Sequence, residues 1–274
     1  MQATKGLAPG RWGNELRTHE IFAVDGMLVR AAGPLSAPCL LMVHAFACNG
    51  ADFLPLFNTP LADSYRLIAV DLPGFGSSPS QFQYRTIAEH AAALALLTRH
   101  ISNSERIGFI AHSVGSMVVV ETIRQLKNEA MGVFSIEGNL TSDDAYFSGR
   151  AANFEDPIAF KQAFLDDLWK EGNQKSILRT YHANASIADA EAMWFLGCDA
   201  RRQSVDNASG QAYLSIRPPS LYYWNSVNVP AKTIDWIATS GISNQRFANS
   251  SHWPMIDIPG EVAVAIEGFF RNLP

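Results

Sequence analysis

The chain has 274 residues and a formal net charge of −5, with 47% hydrophobic and 17% charged residues. Such a composition predicts a compact globular protein that is long enough to bury a large core. The acidic balance and the absence of basic clusters exclude nucleic acid as an expected partner, and no apolar run is long enough to span a membrane.

The first half of the sequence alternates between apolar runs and segments with helical spacing. Asp25-Gly26 separates two short apolar runs and predicts a hairpin turn. Buried strands are predicted at 39–43, 65–70, 106–111 and 131–136, and helices near 52–57, at 87–101 and at 114–127. This order predicts an α/β fold in which a mostly parallel sheet is covered by helices on both faces.

The second half begins with a different pattern. Helical segments without a convincing strand extend from about Ser142 to Gln211, including a helix predicted from Asp156-Pro157 to Gly172 and another that opens at 186–189. Alternation resumes with a strand at 220–224, a helix at 230–240, a strand at 244–248 and a helix at 260–272. We expect residues 1–141 and 212–274 to form one α/β core and residues 142–211 to form an inserted helical cap.

The clearest chemical signal is Ser113, which follows one apolar run and precedes another with helical character. Ala111 and Gly115 flank it at two residues on either side, as a sharp and strained strand-to-helix turn requires. The hydroxyl would project above the sheet, next to the positive end of the following helix. A serine hydroxyl needs a base to remove its proton. His252, on a loop after the last predicted strand, is the best candidate for that base.

Four motifs in chain order resemble those of the α/β-hydrolase family, specifically of its capped members. They are His44-Ala45-Phe46 after a strand, Asp71-Leu72-Pro73-Gly74-Phe75-Gly76-Ser77-Ser78, Ala111-His112-Ser113-Val114-Gly115, and the histidine loop at 250–259. Ala45 and Ala111 stand where the family has glycine. The resemblance implies an α/β-hydrolase fold and an oxyanion hole made by the backbone N–H groups of Phe46 and Val114.

The position of the acidic residue departs from the commonest family pattern. Many members place it after the strand at 220–224, often as G-x-x-D, but this chain continues Asn225-Ser226-Val227-Asn228. Glu137 instead ends the preceding apolar strand, where a carboxylate is costly unless it is paired or functional. Its position resembles a variant found in some haloalkane dehalogenases, so we predict Glu137. The alternatives that stay open are Asp143, Asp144 and Asp235, whereas Asp257 is expected to brace the histidine loop.

Other aromatic and small residues are candidates for substrate contact. Trp194, Phe195 and Tyr146 lie in the predicted cap, and Cys48 lies near the loop of Phe46. An aromatic cap suggests a small, largely apolar substrate. For His44 we expect an ordering hydrogen bond, and for His112 a packing role.

Together these features predict a carboxylesterase-like serine hydrolase with a Ser-His-Glu triad that cleaves a small, largely apolar carboxylic ester. A carbon–carbon bond hydrolase or an acyltransferase could use the same triad, and a non-catalytic homologue could bind a small ligand. We expect a small-molecule substrate and no cofactor, while the sequence does not indicate the oligomeric state.

The scattered cysteines and histidines bear on metal binding and location. Seven histidines and three cysteines show no metal-ligand spacing. An odd number of cysteines and the lack of an apolar leader at residues 1–10 favour a reducing, cytoplasmic location.

Overall fold

The computed structural model describes residues 18–101, 107–127 and 130–273. Residues 1–10, where the sequence analysis expected no apolar leader, lie outside the described residues. So does Arg106, the first residue of one predicted strand. The sheet consists of β1 (Glu20–Val24), β2 (Met27–Ala32), β3 (Cys39–Val43), β4 (Arg66–Val70), β5 (Gly108–His112), β6 (Gly132–Ile136), β7 (Ser220–Trp224) and β8 (Asn244–Arg246). The predicted hairpin at Asp25-Gly26 is confirmed, and so are the predicted bounds of β3 and β7.

The eight strands form one sheet in the order β1-β2-β4-β3-β5-β6-β7-β8. β2 runs antiparallel to β1 and β4, and each neighbouring pair from β4 to β8 is parallel. Every residue of β4, β5 and β6 is buried, as expected for strands covered on both faces. The structure therefore has the predicted α/β architecture with a mostly parallel sheet.

The helices lie between the strands and at the end of the chain. They are α1 (Leu54–Phe57), α2 (Leu61–Ser64), α3 (Ile87–Ile101), α4 (Gly115–Gln125), α5 (Pro157–Glu171), α6 (Ser176–Ile187), α7 (Ala190–Gln203), α8 (Ala208–Leu214), α9 (Ala231–Ser240), α10 (Pro254–Asp257) and α11 (Pro259–Arg271). α3 packs against α4, and α11 packs against α1 and α2. Across the described ranges, no helix combines the length and the apolar character that crossing a membrane requires.

Between β6 and β7 the described chain is helical and contains no strand. It comprises 3-10 helices at Ser142–Tyr146, Ser148–Asn153 and Val205–Asn207 together with α5 to α8. Asp156 and Asp189 cap α5 and α7 through their side chains, as the sequence indicates. The pattern does not single out α6, because Lys175 at its N-cap makes no side-chain capping bond. We refer to residues 142–211, which include the first part of α8, as the helical segment.

The last predicted strand is shorter than expected. The strand predicted at 244–248 ends at Arg246, after which Asn249 adopts a φ of 56°. Because this conformation interrupts an extended strand, the chain turns there into the loop that carries His252. The turn brings that loop towards the carboxyl ends of the parallel strands.

Candidate active site

Ser113 occupies the turn between β5 and α4. Its φ of 53° lies in the left-handed region, which is strained for a residue other than glycine. The Ser113 N–H donates to the carbonyl of Ile136 at 3.0 Å, which fixes the turn against β6. A Cβ atom at Gly115 would lie 2.6 Å from the carbonyl oxygen of His44, so the turn requires glycine there. The local geometry is that of a tight strand-to-helix turn.

A small cavity lies over Ser113, at the carboxyl ends of the parallel strands. Its lining residues are Ala45, Phe46, Ser113, Asp144, Tyr146, Phe147, Ser148, Tyr181, His252 and Trp253. The cavity measures about 10 Å³, which is room for about one water molecule. The helical segment supplies several of its walls, so the cavity is nearly closed in this conformation.

Glu137 and His252 form a direct hydrogen bond beside this cavity. His252 Nδ1 lies 2.5 Å from Glu137 Oε2, and the Glu137 side chain is fully buried. Because a carboxylate can only accept, Nδ1 carries a proton, and in the neutral ring Nε2 is the unprotonated nitrogen. Glu137 Oε1 accepts from Asn225 N–H at 2.9 Å and from Asn228 Nδ2 at 3.0 Å. The buried carboxylate is therefore fully hydrogen-bonded.

The alternative acids bind elsewhere. Asp144 accepts hydrogen bonds from the N–H groups of Leu140 and Thr141. Asp257 binds the hydroxyls of Ser250 and Ser251 and the Ser251 N–H, which is the bracing expected of it. Asp143 lies 3.8 Å from Lys232 Nζ, and in the described part of the chain neither it, Asp144 nor Asp235 is hydrogen-bonded to His252. The structure brings Glu137 to His252, and none of the three alternatives.

The backbone N–H groups of Phe46 and Val114 are free to donate. Within the ranges that the structure describes, neither group donates to a protein acceptor. Phe46 lines the cavity, and Val114 occupies the N-cap position of α4, next to Ser113. Buried N–H groups without acceptors are rare, and the positive end of a helix adds to their attraction for an anion.

The comparisons with known proteins agree with this geometry. The sequence profile of the alpha/beta hydrolase family matches residues 40–265, which is most of the chain. The chain belongs to the alpha/beta hydrolase family. Its sheet order and the turn at Ser113 therefore follow from family membership as well as from the local sequence.

Curated relatives of this alpha/beta hydrolase share only part of their length with it. The mesoderm-specific transcript homolog protein of Bos taurus is 26% identical over 154 residues, which are 55% of this chain and 43% of that protein. The biotin biosynthesis bifunctional protein BioHC of Cellvibrio japonicus is 29% identical over 113 residues, 40% of this chain and 21% of that protein. The chain thus spans less than half the length of these relatives.

Solved structures match nearly the whole fold. An N-acyl homoserine lactonase complexed with N-butanoyl homoserine has a TM-score of 0.72 at 15% identity, covering 93% of this chain and 97% of that one. An esterase from Exiguobacterium antarcticum has a TM-score of 0.69 at 14% identity, covering 93% and 99%. An epoxide hydrolase, CorEH, scores 0.70 at 15% identity and covers 93% and 98%. At such identities the likeness concerns the fold alone.

Two histidines of this alpha/beta hydrolase hold the loops of the site. The fully buried His112 places Nε2 2.7 Å from the carbonyl oxygen of His252, and burial lowers the pKa of His112 well below its usual value. Nε2 of neutral His112 therefore donates to that carbonyl and fixes the backbone of His252. His44 donates from Nδ1 to Ala45 at 2.7 Å and accepts from Leu72 N–H at 3.0 Å, which is the ordering role predicted for it.

The sequence did not identify His112 and Asn228 as positioning residues. For His112 it predicted packing alone, because a single sequence does not show that the loop of His252 passes over β5. Asn228 had a visible signal, since its amide stands where many family members have the acid. In this alpha/beta hydrolase that amide donates to Glu137 and, at 3.3 Å, to the carbonyl of Ser250.

Of the four predicted substrate contacts, only Tyr146 lines the cavity. Trp194 Nε1 donates to the carbonyl of Phe154 at 2.8 Å. The guanidinium of Arg85 lies 4.3 Å from the ring of Phe195. Cys48 is fully buried, and burial raises the pKa of its thiol well above the usual value.

Trp194, Phe195 and Cys48 do not line the cavity in this conformation, so their contact with a substrate stays a prediction. The rings of Trp194 and Phe195 pack against each other with centroids 4.9 Å apart, and the thiol of Cys48 interacts with Asp52 and with Trp253, of which Trp253 lines the cavity. A rich aromatic composition does not show which side chains face the cavity. For metal binding, the described residues contain no group of three or more His, Cys, Asp and Glu side chains that could hold an ion.

Proposed function

We propose that this alpha/beta hydrolase is a serine hydrolase that cleaves carboxylic esters by acyl transfer, with Ser113, His252 and Glu137 as its triad. The observation that carries the proposal is the hydrogen bond of 2.5 Å between His252 Nδ1 and Glu137 Oε2, beside the cavity that Ser113 lines. Esterases among the proteins of similar fold support the same class of reaction.

The chemistry follows from the free Nε2 of His252. Nε2 takes the proton of Ser113 Oγ as that oxygen attacks the ester carbonyl, and Glu137 stabilises the resulting imidazolium. The N–H groups of Phe46 and Val114 bind the negative oxygen of the tetrahedral intermediate. His252 then gives the proton to the departing alcohol. Water attacks the acyl-enzyme by the same route, which releases the carboxylic acid and restores Ser113.

The surroundings of the cavity bear on the substrate. Aromatic side chains of Phe46, Phe147, Tyr181 and Trp253 enclose it together with Tyr146, which favours a small, largely apolar ester. Since the closed cavity holds about one water, substrate entry requires these side chains to move. We propose that residues 142–211 act as the cap that controls this entry. The three cysteines are free thiols, which supports a cytoplasmic location.

Labelling with a fluorophosphonate probe tests the nucleophile. Intact-mass spectrometry of the native chain should show one adduct, which Ser113→Ala abolishes. Ser148→Ala is the matched control, because Ser148 is buried and lines the same cavity, and this variant should keep the adduct. An adduct that persists in Ser113→Ala and disappears in Ser148→Ala would contradict the assignment.

A turnover assay separates the remaining functions. Hydrolysis of short-chain nitrophenyl esters supports the esterase, whereas turnover of vinylogous diketones alone indicates a carbon–carbon bond hydrolase. Product formation that requires an added alcohol acceptor indicates an acyltransferase. A folded chain that binds apolar ligands equally well with and without Ser113→Ala, and turns nothing over, is a binding protein.

A further inference from the structure

A wide groove adjoins the small cavity over Ser113. The groove measures about 770 Å³, against about 10 Å³ for the cavity. Its lining residues are Ser142, Asp143, Ala145, Tyr146, Gly149, Arg150, Asn153, Arg201, Val205, Asn228, Val229 and Pro230. Tyr146 is the one residue that lines both spaces. A ligand too large for the cavity therefore has room beyond the ring of Tyr146.

The Tyr146 side chain is held mainly by ring contacts. It is 40% exposed, and its ring lies 4.7 Å from that of Phe147 and 6.4 Å from that of His252. Its hydroxyl makes no hydrogen bond to any residue that the structure describes. Backbone angles depart from helical values at Ala145, immediately before it. A rotation of Tyr146 therefore breaks no hydrogen bond to a described residue.

Two contacts connect the groove with the proposed triad. Asn228 lines the groove and donates to Glu137, and Tyr146 packs edge-on against His252. In acyl transfer the histidine protonates the departing alcohol, so the alcohol oxygen must be next to His252. Tyr146 packs against His252 and lines both spaces, so the groove is the room available to an alcohol larger than the cavity.

One charge in the groove lacks an opposite partner. Arg150 pairs with Asp167, and Asp143 lies 3.8 Å from Lys232 Nζ. Arg201 Nη1 donates to neutral acceptors only, the carbonyl of Gly149 at 3.3 Å and Asn153 Oδ1 at 2.8 Å. Throughout the described residues no carboxylate forms an ion pair with Arg201.

We propose that the groove binds the alcohol part of the ester and that this alcohol carries an anionic group, which Arg201 binds. A guanidinium held by neutral acceptors keeps its charge and donors for a carboxylate or phosphate. The inference rests on the proposed ester hydrolysis and adds the substrate class: esters of hydroxy acids or of phosphorylated alcohols, with a small acyl group in the cavity.

Matched esters test the charge. The acetate ester of γ-hydroxybutyrate is compared with the acetate ester of γ-hydroxybutyramide, which is neutral and of equal size. Native enzyme should show a kcat/KM about tenfold higher for the acid than for the amide. Arg201→Gln should bring that ratio close to one, because glutamine donates without a charge.

Arg202→Gln is the matched control. Arg202 neighbours Arg201 on α7, is largely exposed and pairs with Asp199, but it does not line the groove. This variant should keep the native ratio.

A second pair of esters moves the charge to the acyl side. It compares the monobutyl ester of succinic acid with butyl butyrate. For this pair Arg201→Gln should leave the ratio as it is in native enzyme.

Two further measurements complete the test: hydrolysis of an ester that carries a phosphate group, and binding of the acid ester without turnover. Replacing the carboxylate by a phosphate group, on an alcohol of the same chain length, shows which anion gives the larger ratio of kcat/KM over the neutral amide. Calorimetry with Ser113→Ala, which cannot turn the ester over, should detect the acid ester binding several-fold more weakly once Arg201→Gln is added. This readout does not depend on catalysis.

The inference is overturned if native enzyme hydrolyses the acid and the amide at equal kcat/KM. It is also overturned if Arg201→Gln and Arg202→Gln lower the ratio equally. Equal losses indicate that positive surface charge attracts the anion in general, without a binding site at Arg201. Failure of the proposed function looks different: neither ester of either pair is cleaved, and Ser113 forms no adduct with the fluorophosphonate.

Discussion

The carboxyl ends of the strands and the helical segment above them are built in different ways. At the strand ends, Ser113 and Glu137 adopt positive φ angles, and the groups around them are held by short hydrogen bonds. In the helical segment, aromatic rings such as Phe147, Phe164 and Tyr181 contact one another at centroid distances near 6 Å. Hydrogen bonds have a narrow range of donor–acceptor distances, whereas edge-to-face ring pairs occur over a wider range of centroid distances. On the proposal that residues 142–211 form a cap, the strand ends would position the reacting groups and the helical segment would control access to them.

The strongest test of this contrast is Glu137→Gln. The amide cannot stabilise the imidazolium of His252, so we expect kcat to fall about a thousandfold while the fold is retained. Steady-state kinetics and circular dichroism measure the two effects. Glu121→Gln, on α4 outside the cavity lining, is the control and should stay near native activity. Activity within a few-fold of native in Glu137→Gln would return the role to Asp143, Asp144 or Asp235.

Asp52 connects the strand ends with the helical segment. Its ionisation gives the next largest expected effect, a change in the free energy of unfolding with pH. Asn184 on α6 donates to Asp52 Oδ1 at 2.8 Å, and burial raises the pKa of Asp52 to about 6. An acid with a raised pKa in the folded state binds its proton more tightly there than when unfolded. Its contribution to stability is therefore lost as the pH rises from about 4 through about 6. The loss amounts to about 3 kcal/mol.

The Asp52→Asn variant measures this contribution. Its free energy of unfolding minus that of the native chain should increase between about pH 4 and about pH 7, because the amide does not ionise. Urea unfolding at the two pH values provides the difference. The control is Asp166→Asn on the exposed side of α5, for which the difference should stay constant. A pH-independent difference for Asp52→Asn would show that Asp52 titrates normally.

Asn228 tests how sharply the strand ends position the triad. Asn228→Ala removes the donor that connects Glu137 with the loop of His252, and kcat should fall about tenfold with a smaller change in KM. The alkaline plateau of the pH–rate profile should fall with it, because the base itself is less well placed. Ser226→Ala in the same exposed loop should leave both unchanged. Equal losses in the two variants would point to loop stability alone.

The smallest expected effect lies in the helical segment. Trp194→Phe removes one hydrogen bond to Phe154 and should lower the free energy of unfolding by about 1 kcal/mol. Because Trp194 does not line the cavity, the rank order of an ester panel should stay the same. A changed rank order would support the sequence hypothesis that Trp194 contacts the substrate. Trp194 would then reach the cavity only when the helical segment opens.

More features of the strand ends than of the helical segment could be predicted from the sequence. Buried strands are continuous apolar runs, and the bounds of β3 and β7 follow directly from them. Ser113 is recognisable because its strained turn excludes large neighbours. Glu137 is recognisable because a carboxylate that ends an apolar strand needs a partner. Such local requirements leave a visible mark in a single sequence.

The remaining features depend on contacts between distant parts of the chain. The bond from His112 to His252 spans 140 positions, and Asn228 meets Glu137 across 91. Nothing local in the sequence encodes either pairing. Likewise, the orientation of Trp194 on α7 and of Tyr146 on the 3-10 helix Ser142–Tyr146 depends on how each helix packs against its neighbours, so the two residues look equivalent in the sequence. In the structure only Tyr146 lines the cavity.

The left-handed backbone at Ser113 sets a limit on evolving this protein for heat tolerance. Glycine adopts that conformation without the penalty of about 1 kcal/mol that a side chain incurs, although its freer unfolded chain offsets part of the gain. A selection that rewards only resistance to unfolding will therefore tolerate or favour Ser113→Gly, which under the proposed mechanism has no nucleophile. A directed-evolution experiment that selects for thermal stability therefore needs an activity screen in every round.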